Sequence, residues 1–294
     1  MTVHERDALA EQFDGHRTHL RAVAYRMLGS LSEADDAVQE AWLRLSRSDT
    51  GAVENLGGWL TTVVGRVCLD MLRSRTARRE QPLDTHMPDP IVSREDGTDP
   101  EHEALLGDSV GLALLVVLDT LAPAERLAFV LHDMFAVPFD EIAPMLGRTA
   151  NSAAQLASRA RRRVQGAATP DVDLARQREV VDAFFAAARA GDFDALLAVL
   201  DPDVVLRSDG GVVRPKASQV VRGAAAVAGQ AFTYTRLSPF VRPALVNGVA
   251  GIVVAPGGRP FSVMAFVVRN GKIVEIDGLA DPERLHALDL PVLD

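Results

Sequence analysis

The chain has 294 residues, 48% hydrophobic and 24% charged, with a formal net charge of −9. That composition excludes a disordered polypeptide and describes roughly two or three folded domains. A single cysteine, Cys68, excludes an internal disulfide framework, and no apolar run approaches the roughly 18–20 residues of a membrane span.

The N-terminal residues lack the basic-then-apolar layout of an export signal, so a cytoplasmic location is expected. Helical periodicity runs through residues 7–80. Ser32 and Asp35 form a capping-box start, and the helix beyond places Ala34, Ala37, Val38, Ala41, Trp42 and Leu45 on one face. Asp36, Gln39 and Glu40 then project from other faces as an acidic, partly exposed surface. After a break at 49–58, Trp59 opens a helix with the apolar stripe Val63, Val64, Val67, Cys68, Met71, Leu72, ending in Arg73, Arg75, Arg78 and Arg79. That spacing puts Cys68 in a core. His16 and His19 share a helix face without a third ligand, so no metal site is expected.

Residues 81–109 read as an acidic linker, with Pro82, Pro88, Pro90 and Pro100 among Asp84, Asp89, Glu95, Asp96, Asp99, Glu101 and Glu103. The net charge of 81–110 is −7, whereas 1–80, 111–170 and 171–294 carry −1, +1 and −2. Overall acidity is therefore no argument against nucleic-acid binding, because local charge governs phosphate contacts.

A second helical block spans 110–166, with Pro123 near a helix start. The amphipathic segment 139–147 closes on Gly147, and a polar segment then runs to Arg163. Helix, Gly-containing turn and polar helix form the outline of a helix-turn-helix. Thr149, Asn151, Ser152 and Gln155 are small polar groups suited to base edges, and Arg148, Arg159, Arg161, Arg162 and Arg163 are cations suited to phosphates. A solvated basic face on an ordinary helix is the other reading of the same residues.

From about 172 the pattern changes. Two helices, 174–189 and 193–199, precede Asp201-Pro202-Asp203 and short β-branched runs at 204–206, 250–254, 262–268 and 272–276, with a hairpin-like Asn270-Gly271. Helices followed by a mostly antiparallel sheet describe an α+β domain over 172–294.

Three motifs in order, Ser32-Glu33-Ala34-Asp35-Asp36 through Trp42, Asn55 through Trp59 with Arg66 and Asp70, and the helix-turn-helix, resemble the extracytoplasmic-function (ECF) sigma factors of bacterial RNA polymerase over about 10–166. The third block resembles a SnoaL-like cone-fold domain through Val181–Phe185, Gly191-Asp192-Phe193, Asp201-Pro202-Asp203 and Val268–Val274. Together they resemble the sigma subgroup that carries such an extension. The fold implied is two all-α sigma domains, a helical bundle and a helix-turn-helix, followed by an α+β SnoaL-like domain.

The resemblance implies that Asp35, Asp36, Gln39 and Glu40 meet the clamp helices of the largest subunit of core RNA polymerase. It implies that Asn55, Arg66, Arg73 and Arg75 handle the −10 element of promoter DNA. Arg148, Thr149, Asn151, Ser152, Gln155, Arg159 and Arg162 would read the −35 element. Subgroup motifs are matched loosely by His86-Met87-Pro88-Asp89-Pro90, Asp209-Gly210-Gly211-Val212-Val213 and Asp281-Pro282-Glu283-Arg284-Leu285. Asp209, Gly210 and Gly211 are thereby expected in an interdomain regulatory contact, acting in cis without a separate anti-sigma factor. No cofactor, membrane association or catalysis is implied, since the third block offers only His286 and Tyr234 as partners for a carboxylate. The competing reading is a SnoaL-like small-molecule enzyme or ligand sensor with a fused helical DNA-binding module.

Overall fold

The computed structural model describes residues 3–48, 55–78, 86–95, 111–166 and 170–293, without the side chains of 3–6 and 76–78. Most of the break at 49–58, the side chain of Arg78, Arg79, Pro82, Asp84, Pro100 and the acids Asp96, Asp99, Glu101 and Glu103 lie outside the described residues. The described chain divides into two compact units.

The first unit begins with α1 (Val3–Leu28), α2 (Leu31–Leu45) and α3 (Leu56–Arg78). The N-cap of α2 is Ser30, accepting from the Glu33 amide at 3.5 Å, and not the expected Ser32. Gly29 is the cause. It ends α1 in the left-handed region at φ 70°, with its amide on the Tyr25 carbonyl at 2.8 Å, so the next residue must start α2. The expected apolar faces are buried: Ala34, Ala37, Val38, Ala41 and Leu45 on α2, and Val64, Val67, Cys68 and Leu72 on α3. Burial pushes the Cys68 thiol far above its ordinary pKa, which removes thiolate character at neutral pH.

The boundary between the units falls within α4 (Leu112–Asp119). The first unit continues with α5 (Pro123–Phe129), a π-helical turn (Val130–Met134), α6 (Phe139–Leu146) and α7 (Ala150–Val164). Pro123 occupies the start of α5, where its missing N–H costs nothing. α3 approaches α5 and the π-helical turn at Gly65, where a Cβ would stand 3.4 Å from Leu127 Cδ1 and 3.0 Å from Leu131 Cδ1. Buried Arg126 fixes the same region. It pairs with Asp119, and its Nε donates to the Arg26 carbonyl at 3.1 Å. The Arg26 guanidinium lies 5.0 Å from the Phe135 ring centroid.

The second unit is a curved seven-stranded sheet ordered β1-β4-β5-β6-β7-β2-β3, all neighbours antiparallel except β2 with β7. The strands are β1 (Val92–Ser93), β2 (Leu200–Asp209), β3 (Gln219–Arg222), β4 (Val241–Val246), β5 (Val249–Val254), β6 (Ser262–Arg269) and β7 (Lys272–Leu279). α8 (Leu174–Ala190), α9 (Phe193–Val199), α10 (Ala224–Thr233) and α11 (Pro282–Ala287) complete it. The core joins Val181, Phe184 and Leu196 from the helices to Ile252, Phe266, Val268 and Ile276 from the sheet. Asn270 and Gly271 both take positive φ in the β6–β7 hairpin, as their sequence predicts.

Candidate nucleic-acid interface

α6 and α7 form the helix-turn-helix. Gly147 ends α6 at φ 62°, and the Arg148 amide returns to the Ala143 carbonyl at 3.0 Å. Thr149 caps α7, its hydroxyl accepting from the Ser152 amide at 3.3 Å. Ala153, Leu156, Ala157 and Ala160 are buried, so α7 shows its opposite face outward. Asn151 and Gln155 are exposed there and Ser152 is half-buried. The arginines divide into two sets. Arg163 reaches buried Glu125 at 3.2 Å, Arg159 reaches the same carboxylate at 3.8 Å, and Arg161 pairs with Asp133. Arg148 and Arg162 are exposed, with no carboxylate partner among the described residues.

On α2, Asp36 and Gln39 are exposed. Asp35 already holds Arg21 through two bonds of 2.7 and 3.3 Å, and Glu40 holds Arg44 at 3.0 Å. The acidic face is therefore partly neutralised within the bundle. On α3, Arg66 and Arg73 are exposed and lie seven residues apart, two helical turns along one face. Arg75 is engaged in the bundle, ion-paired with Glu33 and donating to the Leu28 carbonyl at 3.3 Å. Asn55, expected at an extruded base, is exposed and its Oδ1 accepts from the Gly58 amide at 2.9 Å, a helix-capping bond at the start of α3. His19 contacts Thr61 Oγ1 at 3.1 Å and meets the Phe135 ring edge-on. No group of His, Cys, Asp or Glu suited to a metal ion occurs among the described residues.

The second unit brings three distant motifs to one point. Asp209 is buried at the end of β2, and its Oδ2 accepts from the Met87 amide at 3.0 Å and from Arg284 Nη1 at 2.8 Å. Arg284 also holds the Met87 carbonyl and reaches Asp89 Oδ1 from Nε at 2.9 Å. His86 Nδ1 stands 3.6 Å from Asp209, an ion-pair distance too long for a hydrogen bond. Burial alone would raise the Asp209 pKa. His86, the Met87 and Gly211 amides and the Arg284 charge outweigh it and lower the pKa to about 2.

The turn after Asp209 needs its glycines. A Cβ at Gly210 would stand 2.2 Å from the Arg214 carbonyl oxygen, and one at Gly211, with φ 60°, would stand 1.8 Å from Asp281 Oδ2. Farther along the linker, Ile91 and Asn247 exchange bonds of 3.0 and 2.8 Å, and Val92 and Ser93 pair with Val246 and Leu245. Arg284, Asn247 and the main chain of 86–93 were not singled out as site residues from sequence. The Asp281–Leu285 motif and the hairpin dipeptide Asn247-Gly248 are the signals that mark them.

Comparison with known proteins follows the same division. The family models for Sigma-70 region 2 and Sigma-70 region 4 match residues 13–78 and 111–164. The chain is 40% identical over 288 residues to the ECF RNA polymerase sigma factor SigJ of Mycobacterium tuberculosis, covering 93% of this chain and 92% of that protein. The chain belongs to the ECF family of RNA polymerase sigma factors. A probable ECF RNA polymerase sigma factor of the same organism, SigI, is 37% identical over 294 residues and 97% of each chain. The crystal structure of SigJ matches with a TM-score of 0.79 at 37% identity, covering 96% of this chain and 99% of that one.

The ECF assignment carries the activity with it: this sigma factor directs promoter-specific initiation by RNA polymerase. The alternative of a small-molecule enzyme with a fused DNA-binding module is not favoured. No helix among the described residues is long and apolar enough to cross a membrane.

Proposed function

We propose that residues 1–80 engage core polymerase and the −10 element, that 110–166 read the −35 element, and that 172–294 regulate both in cis by holding the linker 81–109. In this reading Asp36 and Gln39 are the α2 groups available at once to the polymerase clamp helices, while Asp35 and Glu40 exchange intramolecular arginines for the partner's. Arg66 and Arg73 hold −10 phosphates. Asn55 caps the helix that presents them, and Arg75 ties that helix to the bundle. Asn151, Ser152 and Gln155 approach base edges of the −35 element, with Arg148, Arg159 and Arg162 on the flanking phosphates and Thr149 shaping the helix start.

The observation that carries the regulatory part is the Asp209–Arg284–Met87 cluster. A carboxylate and a guanidinium, both largely removed from water, converge on the linker main chain. A charge-assisted network of this kind holds a segment firmly and fails as a unit when one member is removed. Such a clamp does the work of a separate anti-sigma factor.

The test is transcription in vitro with purified core polymerase and the full-length chain, as wild type, Asp209→Asn and Arg284→Met. Promoter-specific transcript yield is expected to change by about fivefold or more, the size of an ordinary coupling between sites. Equal yields from all three proteins, with equal binding to core polymerase, overturn the regulatory reading.

A further inference from the structure

The second unit encloses a cavity that the sigma-factor activity does not use. It lies between the curved sheet, α8, α10 and the 3-10 segment Thr235–Phe240, and holds about 140 Å³. Phe184, Phe185, Ile252, Phe261 and Met264 are among the residues that line it. It opens past Arg214, Ala217 and Tyr234, which also line a shallow outer cleft with Val213, Pro215 and Lys216.

Two observations mark this space as more than a packing defect. Ser238 lines it, and its buried Oγ has no hydrogen-bond partner among the described residues, an uncommon state for a native hydroxyl. The charges at the mouth are also one-sided. Arg207 in the cavity wall is neutralised by Glu275 and Asp277. Arg214 and Lys216 have no carboxylate partner among the described residues. Arg214 donates from Nη1 to the Phe261 and Ala280 carbonyls at 3.2 Å each and lies 4.6 Å from the Phe261 ring centroid. The mouth is therefore cationic in front of an aromatic interior.

Size sets the class of occupant. An apolar cavity of about 150 Å³ accommodates one benzene molecule. We propose that this cavity binds a small monocyclic aromatic anion of the hydroxybenzoate class. The ring sits among Phe184, Phe185 and Phe261, a ring hydroxyl meets Ser238 Oγ, and the carboxylate faces Arg214 and Lys216 in the cleft.

The site also touches the clamp. The Arg214 amide donates to the Gly210 carbonyl at 3.0 Å, Gly210 donates to Ser218 Oγ at 3.0 Å, and the Ala280 amide donates to the Asp209 carbonyl at 2.6 Å. One turn thus forms the cavity mouth and carries the carboxylate that holds the linker. Any effect of a ligand on transcription rests on the clamp reading, whereas binding itself does not.

The experiment is ligand-observed NMR and calorimetry on the full-length chain with benzoate, the three hydroxybenzoates, toluene and hexanoate. At least one hydroxybenzoate is expected to bind more tightly than toluene or hexanoate. Gly278→Val fills the cavity, because a Cβ there stands in ordinary contact with Met264 Cγ at 3.7 Å and Ser208 Oγ at 3.9 Å, and should weaken binding tenfold or more. Lys216→Gln changes an exposed side chain and should weaken the anions several-fold while leaving toluene unchanged. Ser238→Ala should weaken the hydroxybenzoate and spare benzoate. Should the valine variant fail to fold, the lysine and serine variants decide. Absence of binding by any ring compound at millimolar concentration overturns the proposal, as does binding indifferent to Lys216→Gln and Ser238→Ala. Equal affinity for hexanoate and hydroxybenzoate overturns the aromatic class. Binding without any change in clamp-dependent transcription leaves the site standing and counts only against its link to the linker.

Discussion

Arginine 162 and arginine 163 are neighbours on one helix with different work. Arg162 is exposed with no carboxylate partner among the described residues, and Arg163 reaches Glu125, which is only 7% exposed. Arg162→Ala should weaken binding to −35 duplexes about equally across sequences and flatten the salt dependence by about one counterion. Arg163→Ala should act first on stability, by leaving the buried Glu125 carboxylate to the more distant Arg159. Filter binding at several salt concentrations, beside thermal melting, separates the two. From sequence these residues were one basic cluster, because charge count carries no information about which acid folds back beneath it.

Asp277 offers a second test at this scale. It is fully buried, and burial, then the nearby Glu275 charge, raise its pKa well above the ordinary 3.8 against the pull of Arg207. A carboxyl raised on folding contributes fully below its unfolded value and loses that contribution as pH rises toward its folded value. Asp277→Asn removes the titration. The stability of the variant relative to wild type should therefore rise with pH above about 4, approaching 1.4 kcal/mol per pH unit at its steepest. Urea midpoints measured from pH 4 to pH 8 check this, and parallel profiles for the two proteins would refute it. Asp209 has the opposite sign. Its contribution is complete above 3.8 and is lost only as pH falls through about 2, so the Asp209 carboxylate stays charged through the neutral range.

Among the elements, periodicity and turn chemistry made the helices of the first unit and strands β5 to β7 legible. Three strands escaped: β1, only two residues long and lying in the linker, and two others for the reasons that follow. β4 contains Pro243, which a sequence reading takes as a reason against a strand. It is tolerated because β1 pairs only with Leu245 and Val246, leaving Pro243 on an edge stretch. β3 is four residues long and too short to show alternation. α10 carries an alanine-rich sequence whose apolar pattern has little contrast.

The motif Asp209–Val213 is legible in the sequence, but its demand for glycine is a matter of space that only the fold reveals. Gly211→Ala must place a side chain at φ 60° and displace Asp281 from the start of α11. The left-handed conformation alone costs about 1–2 kcal/mol, so the second unit should melt several degrees lower. Substitution at Gly257, also at positive φ but with nothing near its Cβ, should cost less. Equal losses at the two positions would mean that the contact with Asp281 does not matter.

At the scale of the molecule, family and domain order were readable because each motif is local. The clamp was not. Met87, Asp209 and Arg284 lie 122 and 75 residues apart along the chain, and only the sheet, which carries Asp209 at the end of β2, brings them together. The sequence marks 81–109 as an acidic linker and says nothing of its burial, yet residues 87–92 are buried and Asp89 is held by Arg284. Local composition described the unpaired charge and missed its partner.

The short strand β1 has a further consequence. It is the outermost member of a seven-stranded sheet, and the linker lends it. A transcribing complex that draws the linker away must bare the rim of β4, and a bare rim invites pairing with another chain. Pro243 limits that hazard, since it offers no N–H, and the borrowed pairing spans only two residues. The sheet is thus built to surrender its last strand without becoming a template for association.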